Sequence, residues 1–316
     1  MNAHFPDATS AEVDSALRAA EEAFPALRKL SGETRGIFLE AIAGGMESDT
    51  EEIVSIADEE TNLGRPRLTM ELGRTANEIR LFAELARSRT WREPRSDDAE
   101  PDRTPIPKPA LRSSNVPLGP VVVIGACNFP IAISVVGTDT ISALAVGCPV
   151  VVKAHPGHPA TCGKLAALVN EAASTTDMPA GIFSLLHGKD HRVGRELVEH
   201  PLTKAVAFTG SLQGGRALAT LAAARPEPIP FYAEMGSLNP LFILPGGLRE
   251  RSEEIALGYL GAVTLFAGQM CTKPGILAAI EGHELNAFLA TAAEATREHL
   301  PVAMLNPGIR DNYETS

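Results

Sequence analysis

What this 316-residue sequence lacks narrows its class before any motif is considered. It has only four cysteines, Cys127, Cys148, Cys162 and Cys271, with no Cys-x-x-Cys pair and no regular histidine partner. That density excludes a disulfide framework at this length and offers no zinc ligand set. Reduced thiols in a cytoplasm are therefore the expectation. No apolar run approaches the ~20 residues of a membrane span, because Gly, Pro or polar residues interrupt each one. The first ten residues carry no basic stretch leading into an apolar one, so no secretory signal is predicted. Basic charge is also scarce: 28 Lys and Arg against 39 Asp and Glu leave a formal charge of −11. A nucleic-acid partner, which needs a basic face, is not expected. No Gly-x-Gly-x-x-Gly follows the first apolar strand, so the usual dinucleotide fingerprint is missing. His155 and His158 read as polar loop residues without a carboxylate or cysteine at ligand spacing, and no metal is expected.

What is present suits two domains with a sizeable core, at 44% hydrophobic and 21% charged residues. Residues 11–87 read as helices. Ser10 is placed as the first N-cap, and Val13, Leu17, Ala20 and Phe24 recur at helical spacing. Similar patterns follow at 34–46, 51–60 and 67–86. Between Trp91 and Pro109 lie five prolines among many charges, which predicts an extended surface arm, hairpin or linker. From Pro117 onward strand and helix patterns alternate. Strands are predicted at 121–124, 149–152, 182–186 and 205–208, and helices at 141–146, 162–173, 193–199 and 214–224. That alternation predicts an α/β fold with a parallel sheet covered by helices on both faces. Ligands in such sheets bind at the carboxyl ends of the strands.

Three of those ends, and two residues further on, carry candidate chemistry. Asn128, in Gly125-Ala126-Cys127-Asn128-Phe129-Pro130, can place a neutral amide donor against an oxyanion. Alone, the loop reads first as an Asx-turn before Pro130. Lys153 follows a buried strand where a ribose or phosphate would sit, or simply caps that strand in solvent. In Phe208-Thr209-Gly210-Ser211-Leu212-Gln213-Gly214-Gly215-Arg216 a strand ends, a glycine turn follows and a helix opens. Backbone N–H groups there can hold a pyrophosphate, with Gly210 and Gly215 allowing close approach. Glu234 and Cys271 complete the set: a carboxylate base and a soft nucleophile are what covalent catalysis at a carbonyl carbon requires. Taken alone, Cys271 reads first as a buried apolar thiol, the usual fate of a free cysteine.

In order and approximate spacing, Gly125-Ala126-Cys127-Asn128-Phe129-Pro130, Val152-Lys153, Phe208-Thr209-Gly210-Ser211, Glu234-Met235-Gly236 and Gly268-Gln269-Met270-Cys271 resemble the aldehyde dehydrogenase superfamily. The segments Glu71-Leu72-Gly73-Arg74-Thr75 and Gly147-Cys148-Pro149-Val150-Val151-Val152-Lys153-Ala154-His155-Pro156 are similar to the branch that oxidises 2-oxoglutarate semialdehyde (2,5-dioxovalerate). Phe231-Tyr232-Ala233-Glu234-Met235-Gly236-Ser237-Leu238-Asn239-Pro240 points the same way. A related branch member acts on fatty aldehydes with NADP. The resemblance implies an aldehyde dehydrogenase-like α/β fold with a Rossmann-like sheet. It assigns residues 1–98 and 118–235 to a cofactor-binding domain, 99–117 to an oligomerisation arm or linker, and 236–316 to an incomplete catalytic domain. Family members are longer, so a fragment or truncated product is expected, without the later Glu-x-Phe-Gly-Pro-like motif.

The resemblance also implies roles. Cys271 attacks an aldehyde, the Asn128 amide and the Cys271 N–H hold the oxyanion, and Glu234 activates water against the resulting thioester. NAD or NADP would lie along Lys153, His155, Pro156, Arg192, Gly210, Ser211, Gly215 and Gly236. Pro156 stands where NAD-selective members often carry a glutamate, while Lys153, His155 and Arg192 could offset phosphate charge, so NADP is expected to be accepted. A homo-oligomer is expected for a full-length form. Two competing readings are a truncated chain retaining at most cofactor binding, and a cysteine hydrolase or acyltransferase. The latter would need a histidine near Cys271, and the next one downstream, His283, lacks a supporting motif.

Overall fold

The computed structural model describes residues 5–300 and 302–315. It divides into two compact units, Met1–Glu60 with Gly64–Glu234, and Met235–Ser316 with Thr61–Leu63.

The first unit opens with four helices, α1 (Ser10–Leu27), α2 (Gly32–Ser48), α3 (Thr50–Thr61) and α4 (Arg65–Ser88). The N-cap of α1 is Thr9, not Ser10. Its hydroxyl accepts from the Glu12 N–H at 3.2 Å while the Glu12 carboxylate accepts from the Thr9 N–H at 2.7 Å. This reciprocal box needs an acid three residues after the cap, and only the Thr9 register supplies it. Helix α2 packs so closely on α4 that a Cβ on Gly32 would sit 2.0 Å from the Ala86 carbonyl oxygen.

The proline-rich stretch forms an antiparallel ribbon of β1 (Arg95–Asp97) and β2 (Leu111–Ser113), with Arg95 opposite Ser113. At its root Trp91 lies half-buried in a 3-10 turn, with the Arg92 guanidinium 5.2 Å from its ring. Asn115 returns to this turn, donating from its side chain to the Trp91 carbonyl and from its N–H to the Arg92 carbonyl.

A five-stranded sheet follows, built from β3 (Val121–Ile124), β4 (Val150–Lys153), β5 (Phe183–Leu186), β6 (Ala205–Gly210) and β7 (Phe231–Met235). The strand order is β5-β4-β3-β6-β7, and β3 pairs in parallel with both β4 and β6. Four helices connect these strands, α5 (Thr138–Val146), α6 (Pro159–Thr175), α7 (Arg192–Glu199) and α8 (Leu212–Ala224). All four β3 residues are buried, as expected for a strand covered on both faces. The order runs outward from β3 to β5 and then returns past β3 to β6. The switch point therefore lies between β3 and β6, where such sheets hold ligands. Helix α8 begins two residues earlier than its sequence pattern suggests. Ser211 is its N-cap, accepting from the Gly214 N–H at 3.1 Å, so Gly214 and Gly215 belong to the first turn of the helix.

The second unit contains β8 (Pro240–Ile243) and β9 (Ile276–Ala279) in parallel, with α9 (Pro245–Thr264), α10 (His283–Glu298) and α11 (Pro307–Thr315). Its buried core is small: Ile243, Leu248, Ala256 and Phe288, with Tyr259 packed against the Phe288 ring. Among the described residues no helix is long and apolar enough to cross a membrane.

Candidate active site

The end of β3 leads into a tightly packed loop. A Cβ on Gly125 would lie 1.9 Å from the Ile133 carbonyl oxygen, and one on Gly137 would lie 2.5 Å from that of Ala132. The loop thus folds back on its own backbone, with Asn128 between the two segments that meet. Across the switch point, β6 ends at Gly210, and Ser211 opens α8 with its first-turn N–H groups pointing out of the helix.

The neighbouring end, at β4 and β5, holds a pocket of about 240 Å³. Phe5, Ala154, His155, Pro156, Pro159, His187, Gly188 and Lys189 line it. Its size suits a nucleoside-sized group, below the roughly 300–1,000 Å³ that encloses a whole ligand. Lys153 Nζ donates to the Gly188 carbonyl at 2.6 Å, tying the two strand ends together. Burial lowers its pKa, and the nearby Asp7 and Asp190 work in the opposite sense.

His155 departs from its expected role as a phosphate counter-charge. Burial, with His158 and Lys153 close by, pushes its pKa down to about 3, so the ring is neutral at physiological pH. Its Nδ1 accepts from the Gly157 N–H at 3.0 Å, which leaves Nε2 as the protonated donor. His158 is not a polar surface residue either. It is fully buried, stacked on His155, with the Cys162 sulfur 3.3 Å from its Nδ1. The sequence signal for that contact was the four-residue spacing, one helical turn, from His158 to Cys162. Among the described residues no group of three or more His, Cys, Asp or Glu side chains is arranged to hold a metal.

Arg192 is engaged away from the pocket lining. It bonds the Glu196 carboxylate at 3.2 Å and the Ala8 carbonyl at 2.5 Å. The cation that does line the pocket is Lys189, which the sequence reading missed. Its signal was the strand end followed by Gly188-Lys189-Asp190, the same pattern that singled out the other loops.

Glu234 lies in β7 with its side chain exposed, and Gly236 follows at φ 66°, a left-handed turn out of the strand. Cys271 belongs to the second unit. Before it, Phe266, Ala267 and Gly268 take φ values of 50°, 57° and 71°. Left-handed backbone costs an L-residue roughly 1–2 kcal/mol, so two such residues in succession make a strained approach. The Cys271 carbonyl is held by the Ser237 hydroxyl and the Asn239 amide, the latter at 2.6 Å. Of the four thiols, only that of Cys271 is exposed. Burial raises the pKa of Cys127 and Cys148, and that of Cys162 to about 11, so those three are poor nucleophiles.

Residues 1–304 match the Aldehyde dehydrogenase family. The chain belongs to the aldehyde dehydrogenase family. It is 46% identical over 309 residues to alpha-ketoglutaric semialdehyde dehydrogenase 2 of Azospirillum brasilense, a match covering 98% of this chain and 59% of that protein. It is 42% identical over 310 residues to alpha-ketoglutaric semialdehyde dehydrogenase of Acinetobacter baylyi, with the same 98% and 59% coverage. The chain thus spans about 59% of the length of these curated relatives. The crystal structure of an NAD-dependent aldehyde dehydrogenase from Sinorhizobium meliloti superposes with a TM-score of 0.81 at 25% identity, over 96% of this chain and 59% of that one. An aldehyde dehydrogenase fold accounts for both the strand order and the placement of the loops at one end of the sheet.

Proposed function

We propose that this chain carries active-site residues for the NAD(P)-dependent oxidation of 2-oxoglutarate semialdehyde to its carboxylate. The observation that carries the reading is the convergence of Asn128, Lys153 and the Gly210–Ser211 turn at the carboxyl ends of neighbouring parallel strands. The high identity to two alpha-ketoglutaric semialdehyde dehydrogenases supports the choice of substrate.

In this reading the Cys271 thiolate forms a C–S bond to the aldehyde carbon. The Asn128 amide and the Cys271 N–H take the charge that develops on oxygen. The cofactor, when bound, supplies the hydride acceptor. Glu234 then deprotonates the water that releases the acyl group from Cys271, and serves earlier as base for the thiol. The residues present fit the adenosine end of such a cofactor. Lys153 and Lys189 provide positive charge, the neutral His155 provides an Nε2 donor, and no carboxylate is among the pocket's lining residues. The α8 N-terminus, with Gly210, Ser211 and Gly215, would hold the pyrophosphate, and Gly236 would turn the chain beside it. NADP is accepted in this reading, because Pro156 presents nothing to repel a 2′-phosphate.

The partition into a cofactor-binding part (1–98 and 118–235) and a catalytic part (236–316) is supported by the two compact units. An assembly role for residues 99–117 is supported by the exposed Ile106 and Leu111 of the ribbon. Four cysteines, none of them in a disulfide, favour a reducing cytoplasm.

The test is reduced-nicotinamide absorbance with this chain, NADP and the semialdehyde. Turnover that disappears in Cys271→Ser and Glu234→Gln is expected. Calorimetric binding of NADP with no turnover would instead favour a chain that binds cofactor without catalysis.

A further inference from the structure

The loop that carries Asn128 is gripped by two residues of α4 that take no part in the steps above. Glu71 is only 4% exposed, and its Oε1 accepts from the N–H groups of Ile131 and Ala132, each at 2.9 Å. One turn earlier on α4, Arg67 is 7% exposed and donates from Nη2 to the Asn128 carbonyl oxygen. Its guanidinium also lies 4.7 Å from the Phe129 ring, and Nη1 is 3.7 Å from Glu71 Oε2. Both side chains therefore reach the same short loop, one on each side of Pro130.

Burying such a pair brings no stability of its own, since the cost of stripping water from two charges offsets their attraction. Its hydrogen bonds give it another purpose. The loop at 128–132 turns two N–H groups and a carbonyl toward these side chains, and an apolar pair in the same space would remove the bonds that Arg67 and Glu71 give all three. The carboxylate caps the two N–H groups as a helix N-cap would. The guanidinium fixes the peptide plane that directly follows Asn128.

We infer that Arg67 and Glu71 are positioning residues for Asn128, clamping the backbone on both sides of Pro130 and so fixing the direction in which the Asn128 amide leaves the chain. The consequence for rate rests on the reading of Asn128 as the oxyanion donor. Such a donor must be held to within about 0.5 Å to be effective.

Selective ¹⁵N-asparagine labelling of the whole chain tests the clamp without requiring turnover. The Asn128 side-chain resonance is assigned by its disappearance in Asn128→Ala. Asn115, itself held on the Trp91 carbonyl, is the control in the same unit. Arg67→Lys and Glu71→Gln are expected to shift or broaden the Asn128 signal while that of Asn115 stays in place. Glu71→Ala, if it folds, should move it to the position of a free amide. In a chain that turns over, the two conservative variants should lower kcat roughly tenfold or more and leave the KM for cofactor within about twofold. An Asn128 signal unmoved in both variants would overturn the inference, as would a moved signal with unchanged kcat in an active chain. A moved signal in a chain without turnover leaves the clamp standing and counts against the catalytic reading instead.

Discussion

Burial decides which side chains are chemically available at neutral pH, and Cys271, Asn128 and His155 illustrate this differently. Cys271 is the exposed thiol, and as the proposed nucleophile its change to serine should lower kcat by about three orders of magnitude or more in a single-turnover assay. Asn128→Ala removes one proposed oxyanion donor and should cost about 10²–10³ in kcat, with little change in cofactor affinity by calorimetry. His155 is held neutral, its pKa near 3 against about 6.5 in an unfolded chain. Below pH ~6.5 the unfolded chain therefore binds the proton more readily. This contribution to stability is complete above that pH and is lost as pH falls toward 3. Melting temperature should decline between pH 7 and pH 5, and the decline should be shallower in His155→Phe. His158, lowered in the same direction by burial, supplies part of the remaining slope. An equal slope in the variant would show that His155 is not the group responsible.

At the scale of elements, two glycines set the geometry of the strand ends. Gly125→Ala would drive a methyl group into the Ile133 carbonyl and displace the Asn128 loop. A loss of about 3 kcal/mol in denaturant unfolding is expected. Gly188→Ala would place its Cβ 2.8 Å from Val193 Cγ2, shifting the carbonyl that receives Lys153. Cofactor affinity should fall roughly tenfold, while the fold is retained. The sheet was largely legible in the sequence, because fully apolar four-residue runs such as Val121–Ile124 have few alternatives when helices separate them. Helix starts were less so: Thr9 and Ser211 take their caps from side-chain bonds that periodicity does not encode. The neutrality of His155 and the diversion of Arg192 to Glu196 were hidden for another reason. The first depends on burial and the second in part on the Ala8 carbonyl, 184 positions from Arg192, although the Glu196 partner itself lies only one helical turn along α7. Lys189 was legible in principle, because the end of β5 carries a glycine loop as the end of β6 does.

For the whole molecule, the two units differ in how much they bury. The first has a sheet covered by helices, whereas the second rests on four buried apolar residues and exposes Phe242, Leu244 and Ile280. A two-stranded parallel pair is marginal without further support. Calorimetry should therefore resolve two transitions, the lower one belonging to the second unit. Phe288→Ala, at about 3–5 kcal/mol, should abolish the lower transition and leave the upper one in place. The root of the ribbon has a practical consequence for such measurements. Trp91 is the only tryptophan in the sequence, and neither it nor its partners Arg92 and Asn115 line the nucleoside-sized pocket. Intrinsic emission is thus a local optical reporter on how the ribbon joins α4. Its wavelength should respond when the ribbon meets a second surface and stay constant when a nucleotide enters, so one fluorophore already separates assembly from ligand uptake.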